Sequence, residues 1–480
     1  MIEITQSGSE GSPVVIPDID EAHGVRVRGS WVTLLRPRVT NDAGPGITVA
    51  DSALHVTIDG ENTPGGPTLG SVHDTMLSSN DEFGGILWQG IGNRYGVLRR
   101  MRIDSAMGGG VVADGKPDYP SGPRWIENVI IEWNEVTGSV PRPNEANQRR
   151  TGFGIVITTG RHIIIRYNLS HHHKLTCIHL DGGTRGELPI IGPCEYCVIR
   201  GNTVYDAGAS LLEGEGSHYC HFVNNKCLGK AGVTDGYSCG VYLNTFATGN
   251  LVANNLVLRT HGGYGDNTPA GIGISAHATA NVLLHNTLDC GGLALRLDET
   301  DGGAPDSCHV RVGGNVLVGG VRLAVKPSAI ADSLWNHNCF ATTGQIAEVL
   351  APYGRTSSIA GWQDWGGGLN DIKADPALVL DVATGRLVDG SPCIGTASDG
   401  TDRGVSFEEE TDMIKVEKVV PVTLTAYGKV DYDAENVPHV YECDDNGAVK
   451  GTPIGDFDIA ADGKLKILPV EWLSAMRAEG

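Results

Sequence analysis

The sequence predicts an all-β solenoid, a chain wound into successive coils whose strands run parallel. Three observations predict it. A phrase of alternating apolar residues that contains an asparagine recurs along the chain, the residue three places before each asparagine is always apolar, and glycine is abundant, at 67 of 480 residues. No stretch inside the repeated region has a convincing period of 3.6 residues, which argues against helical repeats. Each coil is therefore predicted to consist of short strands joined at tight corners.

The asparagines that mark the repeat lie in phrases such as IIIRYNLS and CHFVNNKC. They are Asn134, Asn168, Asn202, Asn225, Asn255, Asn286 and Asn315. Their separation of roughly 23 to 34 residues lies in the range of stacked repeat architectures. We expect each asparagine to occupy a corner with left-handed backbone angles and to bond the asparagines of the neighbouring coils.

The apolar residue three places before each asparagine is predicted to face the core. These residues are Ile131, Ile165, Ile199, Phe222, Val252, Leu283 and Val312. Consecutive coils would bond in parallel at about 4.8 Å spacing. An ordinary β-sandwich, the competing architecture, does not predict a fixed column of asparagines.

This pattern resembles the right-handed parallel β-helix proteins of the pectate-lyase-like superfamily, over about residues 20 to 405. Weaker earlier coils are visible in LHVTIDGENT and VLRRMRID. The segment that contains Asp375-Pro376, Gly385-Arg386-Leu387 and Gly390-Ser391-Pro392 is similar to the closing segment of many bacterial and viral β-helices. The resemblance implies a scaffold and says little about activity, because one fold supports many functions.

The coil is predicted to span residues 21–405, with residues 1–20 as a lead-in or cap. Residues 406–410 begin an acidic polar stretch that has the composition of a linker. Residues 411–480 show strand patterns broken by Asp445-Asn446-Gly447 and Asp462-Gly463, which favour β-hairpins. They are predicted to form a small β domain that caps the coil, assembles subunits or docks onto a larger body.

The net charge of −21 argues against a nucleic-acid partner, because phosphate binding requires a clustered basic surface. The N-terminal sequence lacks the basic start and apolar core of a secretory signal. No segment approaches the roughly 18 apolar residues of a membrane-spanning helix, so membrane insertion is not expected.

The chain contains eleven cysteines, an odd number. Cys197 and Cys220 occupy the same repeat position on neighbouring coils, where a separation near 5 Å would permit a disulfide. The alternative is that both are small core residues. Cys443 lies outside the coil, where an unpaired cysteine could crosslink two subunits.

A second strand recurs in each coil, in phrases such as CIHLDGG, SLLEGEG and GVYLNTF. Aligning the phrases places Thr158, Asp181, Glu213, Asn244, Ser275 and Arg296 in one column, and Val156, His179, Leu211, Tyr242, Gly273 and Ala294 in the next. Asp181 and Glu213 are thereby predicted to lie on adjacent coils, with Glu215, Asp298 and Glu299 nearby. The result would be a carboxylate-rich strip on a rigid face.

Such a strip suits an elongated sugar, and three roles remain open for it. Asp181 with Glu213 or Glu215 would form the carboxyl pair of a glycoside hydrolase. His179 or Tyr242 could remove a proton in a lyase, with Arg296 or a metal neutralising a uronate. Sugar binding without cleavage would use the same face. The predicted substrate-binding residues are Asn244, Asp298 and Glu299. Alternatively, acidic residues before glycine, as in Asp181-Gly182, simply form corners.

No defined metal centre is predicted. Side chains of His171, His172 and His173 cannot all converge from consecutive positions. The cluster of Cys194, Cys197, His218 and Cys220 has zinc-binding residue types, but two of its cysteines have the phase of core residues. The pairs Asp18-x-Asp20 and Asp456-x-Asp458 are too short to specify calcium, so Ca²⁺ remains an open cofactor.

The combination of a β-helix and a small C-terminal β domain resembles virion proteins of tailed bacteriophages, especially tailspike and decoration proteins. The resemblance implies a protein of an extracellular particle that contacts host surface polysaccharide. Its partners would be other virion proteins or identical subunits, most simply in a homotrimer. A free bacterial polysaccharide lyase or glycoside hydrolase, secreted or cytoplasmic, is the main alternative. A purely structural particle component is the second.

Overall fold

The chain forms two compact units: Met1–Ala397 with Asp402–Val405, and Ser398–Thr401 with Ser406–Gly480. In this computed structural model the first unit is a right-handed parallel β-helix, as the sequence predicted. The structure describes residues 1–41, 44–50, 53–63, 66–73, 84–89, 94–115, 125–140, 152–182, 192–229, 239–258, 270–275, 278–290, 293–297, 309–323, 333–349, 354–381, 383–405, 428–432, 438–443, 449–459 and 465–467.

The coils build three long sheets, and all but the last coil contribute one strand to each of them. Sheet 1 consists of Ile2–Ile4, Val25–Val27, Ile47–Val49, Ile86–Gln89, Gly109–Asp114, Phe153–Thr158, Ile178–Asp181, Leu212–Glu215, Cys239–Asn244, Ala270–Ile274, Leu293–Leu297, Val321–Leu323, Ala347–Val349 and Gly354–Thr356. Its neighbouring strands pair in parallel except for the last, which is antiparallel.

Sheet 2 consists of Val14–Pro17, Val32–Leu35, Val56–Asp59, Val97–Arg99, Ile130–Glu132, Ile164–Arg166, Val198–Arg200, His221–Val223, Leu251–Ala253, Val282–Leu284, Arg311–Gly313 and Leu334–Asn336. Sheet 3 consists of Asp20–Glu21, Arg38–Thr40, Ser71–His73, Arg102–Asp104, Glu135–Thr137, Leu169–His173, Thr203–Ala207, Lys226–Leu228, Leu256–Leu258, Thr287–Asp289, Val316–Val318, Cys339–Ala341 and Ile372–Ala374. A small corner sheet, Ile126–Glu127, Gly160–Arg161, Cys194–Glu195 and Ser217–His218, lies between sheets 1 and 2 in the order of the chain.

Residues 1–20, expected as a lead-in, already belong to the coil. Ile2–Ile4 is the first strand of sheet 1, Val14–Pro17 is the first of sheet 2, and Asp20–Glu21 opens sheet 3. The parallel pairing of Ile2–Ile4 with Val25–Val27 makes this segment the first coil.

The asparagine column stacks at the corner between sheets 2 and 3. In each step a side-chain amide donates to the Oδ1 of the next asparagine, for example from Asn202 to Asn225 at 3.1 Å and from Asn225 to Asn255 at 3.0 Å. The same Oδ1 also accepts the backbone N–H of the preceding asparagine. The column continues through Asn338 and ends on Asp371, two members that the sequence phrase did not reveal.

The left-handed residue at this corner is the one before the asparagine, which corrects the expectation. Residues with positive φ at this position include Trp133, Tyr167, Gly201, Asn224, Asn254, His285 and Gly314. The asparagine side chain points inward and bonds the next asparagine of the ladder. The preceding residue therefore adopts the left-handed backbone angles of the corner. Left-handed angles cost a residue that carries a Cβ about 1–2 kcal/mol. Ring stacking at the corner, with centroids of Trp133 and Tyr167 4.6 Å apart, offsets part of that cost.

The predicted core column is confirmed. Its seven residues, from Ile131 to Val312, are at most 1 % exposed. Phe222 is among the largest fully buried side chains and stacks in register between Ile199 and Val252.

Cys197 and Cys220 are free thiols, so of the two alternatives the structure favours small core residues over a disulfide. They lie on adjacent coils as expected, and the Cys220 sulfur accepts the backbone N–H of Cys197 at 3.4 Å. Strands in a parallel sheet hold equivalent positions about 4.8 Å apart, whereas a disulfide needs Cβ atoms about 3.8 Å apart. Both are fully buried core residues, which was the alternative expectation.

The closing segment of the coil contains the two helices within the described residues, Ile359–Asp364 and Pro376–Val379. The second begins where Asp375 accepts the N–H of Ala377 and proline occupies the first turn. Asp371 accepts a hydrogen bond from the buried indole of Trp362 at 2.8 Å and thereby joins the first helix to the asparagine ladder.

The second unit contains an antiparallel sheet of Gly428–Tyr432, Pro438–Cys443, Val449–Ile459 and Leu465–Ile467. The turn sequences Asp445-Asn446-Gly447 and Asp462-Gly463 lie outside the described residues, as does the linker 406–410. The roles in capping, assembly or docking, and the crosslink through Cys443, stay predictions. Among the described residues no helix is long and apolar enough to cross a membrane.

Acid is expected to destabilise the coil through His173, which is buried in sheet 3. Its Nε2 lies 2.9 Å from Ser170 Oγ and 3.1 Å from the carbonyl of Val136. Burial lowers the pKa of His173 from 6.5 to about 3. The unfolded chain therefore binds this proton below about pH 6.5, while the folded chain binds it only near pH 3. Stability should fall as the pH is lowered through that window, by about 2 kcal/mol at pH 5.

The variant His173→Gln should lose this part of the pH dependence. The difference in unfolding free energy between pH 7 and pH 5, measured by chemical denaturation, should shrink by about 2 kcal/mol. His172→Gln, at the exposed neighbouring position, is the control and should behave like the parent. Identical pH profiles for all three proteins would contradict the assignment.

Candidate functional site

Two columns of side chains point outward from sheet 1. The first outward column contains Leu87, Val112, Val156, His179, Glu213, Tyr242, Gly273, Arg296, Arg322 and Glu348. The second contains Gln89, Asp114, Thr158, Asp181, Glu215 and Asn244. Residues in each column are in register on consecutive coils, about 4.8 Å apart.

The character of the first outward column changes at His179. Leu87, Val112 and Val156 form a small apolar cluster on the earlier coils. From His179 onward the column is polar or charged apart from Gly273. A sheet needs no outward carboxylates for stability, so the polar segment is the candidate functional surface.

The structure corrects the predicted alignment of the acidic residues. Glu213 lies in register with His179 and Tyr242, whereas Glu215 lies in register with Asp181 and Asn244. The alignment had placed Glu213 beside Asp181, an error of two residues. Arg296 likewise belongs to the first outward column, between Gly273 and Arg322.

Close backbone approach at the strand end explains the true register. The phrase LEGEG contains two acidic residues followed by glycine, and the sequence alone does not decide which one matches Asp181-Gly182. A Cβ on Gly182 would lie 2.4 Å from the carbonyl oxygen of Gly216, which leaves room only for glycine. Asp181-Gly182 therefore pairs with Glu215-Gly216.

Four side chains on two adjacent strands form the centre of the surface, and we name His179, Asp181, Glu213 and Glu215 the carboxylate block. Ligand atoms of His179, Glu213 and Glu215 all lie within 4.8 Å of one another. The Nε2 of His179 is 3.8 Å from Glu215 Oε2. The sequence predicted these residues as candidates but not as a group of one histidine and two glutamates.

Neighbouring side chains fix Glu213 in place. Thr176 donates its hydroxyl to Glu213 Oε2 at 3.2 Å, and the amide of Asn244 donates to Glu213 Oε1 at 3.2 Å. Asn244 was predicted to bind substrate, and in the structure its amide holds Glu213 in position. Thr176 is fully buried and was not anticipated, because it precedes the strand Ile178–Asp181 and has no repeat signal.

His179 is buried, with 6 % of its surface exposed. Its ring packs at 5.0 Å from the ring of Phe153 on the preceding coil. Neither ring nitrogen has a hydrogen-bond partner among the described residues. A buried polar group without a partner costs about 1–3 kcal/mol, so its retention calls for an explanation.

Tyr242 separates the carboxylate block from two arginines. A Cβ on Gly273 would lie 2.9 Å from Tyr242 Cδ2, so the tyrosine ring covers the glycine of the following coil. The guanidinium carbon of Arg296 lies 5.9 Å from the centre of that ring. Arg296 is only 4 % exposed, and Arg322 follows it in register.

Two predicted residues lie outside the described residues, namely Asp298 and Glu299. Ser275 is described and donates its backbone N–H to Leu243. Leu211 and Ala294 do not belong to the first outward column.

The three histidines of the triplet lie in different surroundings, and the three cysteines of the cluster are buried. His172 is exposed, whereas His173 bonds inside the coil. Burial raises the pKa of the Cys194 and Cys197 thiols, which disfavours the thiolate that zinc requires.

Comparison with solved structures finds similarity of fold. The surface protein and adhesin PfbA of Streptococcus pneumoniae has 9 % identity and a TM-score of 0.38, over 75 % of this chain and 89 % of that one. A mannuronic acid specific polysaccharide family 6 lyase from human gut microbiota has 14 % identity and a TM-score of 0.43, over 80 % and 83 %. The Dettilon tailspike protein has 15 % identity and a TM-score of 0.28, over 57 % and 60 %.

No protein-family model and no curated protein sequence matches the chain. The fold itself is a right-handed parallel β-helix. On the polar segment of its sheet 1, carboxylates, a tyrosine and arginines follow one another on successive coils.

Proposed function

We propose that the polar segment of sheet 1 binds an extended acidic polysaccharide and cleaves it by β-elimination. The order of charges along the first outward column carries this proposal. Glu213 is followed by Tyr242, which is followed across Gly273 by Arg296 and Arg322. Between Glu213 and Arg322 the surface is acidic at one end and basic at the other, with an aromatic hydroxyl between them, and Glu348 follows Arg322 in register.

The spacing suits a long ligand. From Ile178–Asp181 to Val321–Leu323 the sheet advances by five strands, which corresponds to about 24 Å at 4.8 Å per step. A ligand that contacts both ends must be extended, and the rigid sheet supplies regularly spaced groups along it.

The arginines favour an acidic sugar. A guanidinium remains charged even when buried and binds a carboxylate through two parallel hydrogen bonds. Arg296 lies within the outward column and is only 4 % exposed. A uronate carboxylate bound there would have its charge neutralised, which acidifies the hydrogen on the adjacent carbon.

Tyr242 is placed for the proton transfers. In β-elimination a base removes the hydrogen on C5 of the uronate, the bond from C4 to the bridging oxygen breaks, and that oxygen takes up a proton. No water is consumed, and the new chain end carries a C4–C5 double bond. Tyrosine is an established proton carrier in such reactions, and Tyr242 adjoins Arg296.

Hydrolysis at the carboxylate block is the second candidate. Oxygens of Glu213 and Glu215 approach within 4.8 Å, near the roughly 5–5.5 Å separation of carboxyl groups in retaining glycosidases. The products distinguish the two reactions. Both release reducing ends, but only elimination creates a double bond that absorbs ultraviolet light.

Either reaction is compatible with a free enzyme or with a protein of a virus particle that cleaves the envelope polysaccharide of a bacterial host. The purified full chain should therefore be assayed on polyuronates, bacterial capsular polysaccharides and neutral glycans, with ultraviolet absorbance and reducing ends measured in parallel.

We expect the parent protein to produce ultraviolet-absorbing ends from an acidic polysaccharide only. Tyr242→Phe should lower kcat at least 100-fold with an unchanged thermal melt, because it removes only the hydroxyl. Arg200→Gln, on the exposed face of sheet 2, is the control. Reducing ends without absorbance would favour hydrolysis, and a parent inactive on every acidic glycan would refute cleavage altogether.

A further inference from the structure

We infer that His179, Glu213 and Glu215 bind one divalent transition-metal ion of the Zn²⁺ type. Each residue can offer one ligand atom, and the three atoms lie within 4.8 Å of one another. The site was not evident in the sequence, because it depends on the register that places Glu213 beside His179.

The unpartnered imidazole is an independent observation that points to a ligand. Only 6 % of the surface of His179 is exposed, so the residue is more than nine-tenths buried. Both of its ring nitrogens lack hydrogen-bond partners among the described residues. Its Nε2 lies 3.8 Å from Glu215 Oε2, a distance too long for a hydrogen bond. A cation between the two side chains would give the nitrogen a partner.

The donor set selects the kind of ion. One imidazole nitrogen and two carboxylate oxygens are typical of zinc and related first-row metals, and two carboxylates neutralise a divalent charge. Ca²⁺ and Mg²⁺ prefer sites made entirely of oxygen, so the histidine disfavours them. The Ca²⁺ left open by the sequence is therefore a useful competitor in a binding test.

The three ligand atoms lie farther apart than they would around a bound metal ion. Tetrahedral zinc, with bonds of about 2.0–2.1 Å, holds its ligand atoms about 3.3 Å apart, so the side chains must move inward by up to about 1.5 Å. Glu215 is the more exposed of the two facing side chains, at 25 % against 8 % for His179. Thr176 and Asn244 hold Glu213 in the manner of outer-sphere partners.

Three protein ligands leave a coordination position for an oxygen of a sugar, a consequence that rests on the proposed function. Metal binding itself does not rest on it. Because bound Glu213 and Glu215 could not also act as acid and nucleophile, an ion here would exclude hydrolysis through that pair.

The test is direct titration of the full-length, chelator-stripped protein with Co²⁺ and Zn²⁺, without polysaccharide. We expect one ion per chain by elemental analysis after dialysis, and the visible absorption of tetrahedral Co²⁺. Millimolar Ca²⁺ should leave that absorption unchanged. His179→Gln and Glu215→Gln should each weaken binding at least 10-fold, and the partly exposed Glu215 provides a variant that should fold even if His179→Gln does not.

His172→Asn is the matched control, because it removes an exposed imidazole near Asp206 on sheet 3 and should leave the stoichiometry at one. Absence of binding, binding that survives both site variants, or preference for Ca²⁺ would overturn the inference. Binding without cleavage of any acidic glycan would refute the proposed function alone. Cleavage by a protein that binds no metal would refute the metal site alone.

Discussion

Replacing Phe222 by aspartate is expected to prevent folding. Phe222 is fully buried and stacks between Ile199 and Val252 in the core column. Loss of a buried phenylalanine costs about 3–5 kcal/mol. A carboxylate without a partner in the same place adds several kcal/mol more. Together these terms approach the 5–15 kcal/mol that stabilises a typical domain, so we expect no soluble, folded protein.

The control belongs on the same sheet at an exposed, outward position. Val223 has the right phase but packs against the outer cluster of Leu251, Ala253 and Leu284, so an aspartate there would also cost stability. Arg200, its neighbour in register on the preceding coil, is exposed, and Arg200→Asp should express and melt like the parent. Soluble yield and far-ultraviolet circular dichroism check both variants. A soluble Phe222→Asp protein that melts normally would show that the core column is misassigned.

The coil could be predicted because its core and its corners repeat in the sequence. Each inward position requires an apolar residue and each ladder position requires an amide, so the same residue types recur. Asn338 and Asp371 continue the ladder without the full phrase, which is why they were missed. Asn250 and Asn281 form a second ladder before sheet 2, where the weaker surrounding pattern concealed them.

The candidate site was harder to predict because the residue types at outward positions differ from one coil to the next. The residues of the carboxylate block were recognised by type, but their pairing depends on the contact of Gly182 with Gly216, which has no sequence signature. The burial of His179 and the hydrogen bond from Thr176 to Glu213 arise from the tertiary structure and have no local sequence pattern. Sequence therefore identified the surface, and register decided which side chains meet on it.

Replacing Asn225 by leucine is expected to destabilise the coil by about 3–6 kcal/mol, although leucine has the same number and branching of side-chain heavy atoms. Its Oδ1 accepts two hydrogen bonds from Asn202, one from the backbone and one from the amide. Its own amide donates to the carbonyl of Ile199 at 2.9 Å and to Asn255 at 3.0 Å. Leucine would leave buried donors and an acceptor without partners, at about 1–3 kcal/mol each.

The adjacent residue offers a matched control for that variant. Asn224 has a φ of 57° and accepts one hydrogen bond, from the amide of Asn254 at 2.8 Å. Glycine occupies the equivalent corner position at Gly201 and Gly314, so Asn224→Gly should cost less than about 1 kcal/mol. Chemical denaturation of the two variants compares a ladder residue with a corner residue one position away. If Asn225→Leu unfolds at the same denaturant concentration as Asn224→Gly, the hydrogen bonds of the asparagine ladder do not stabilise the coil.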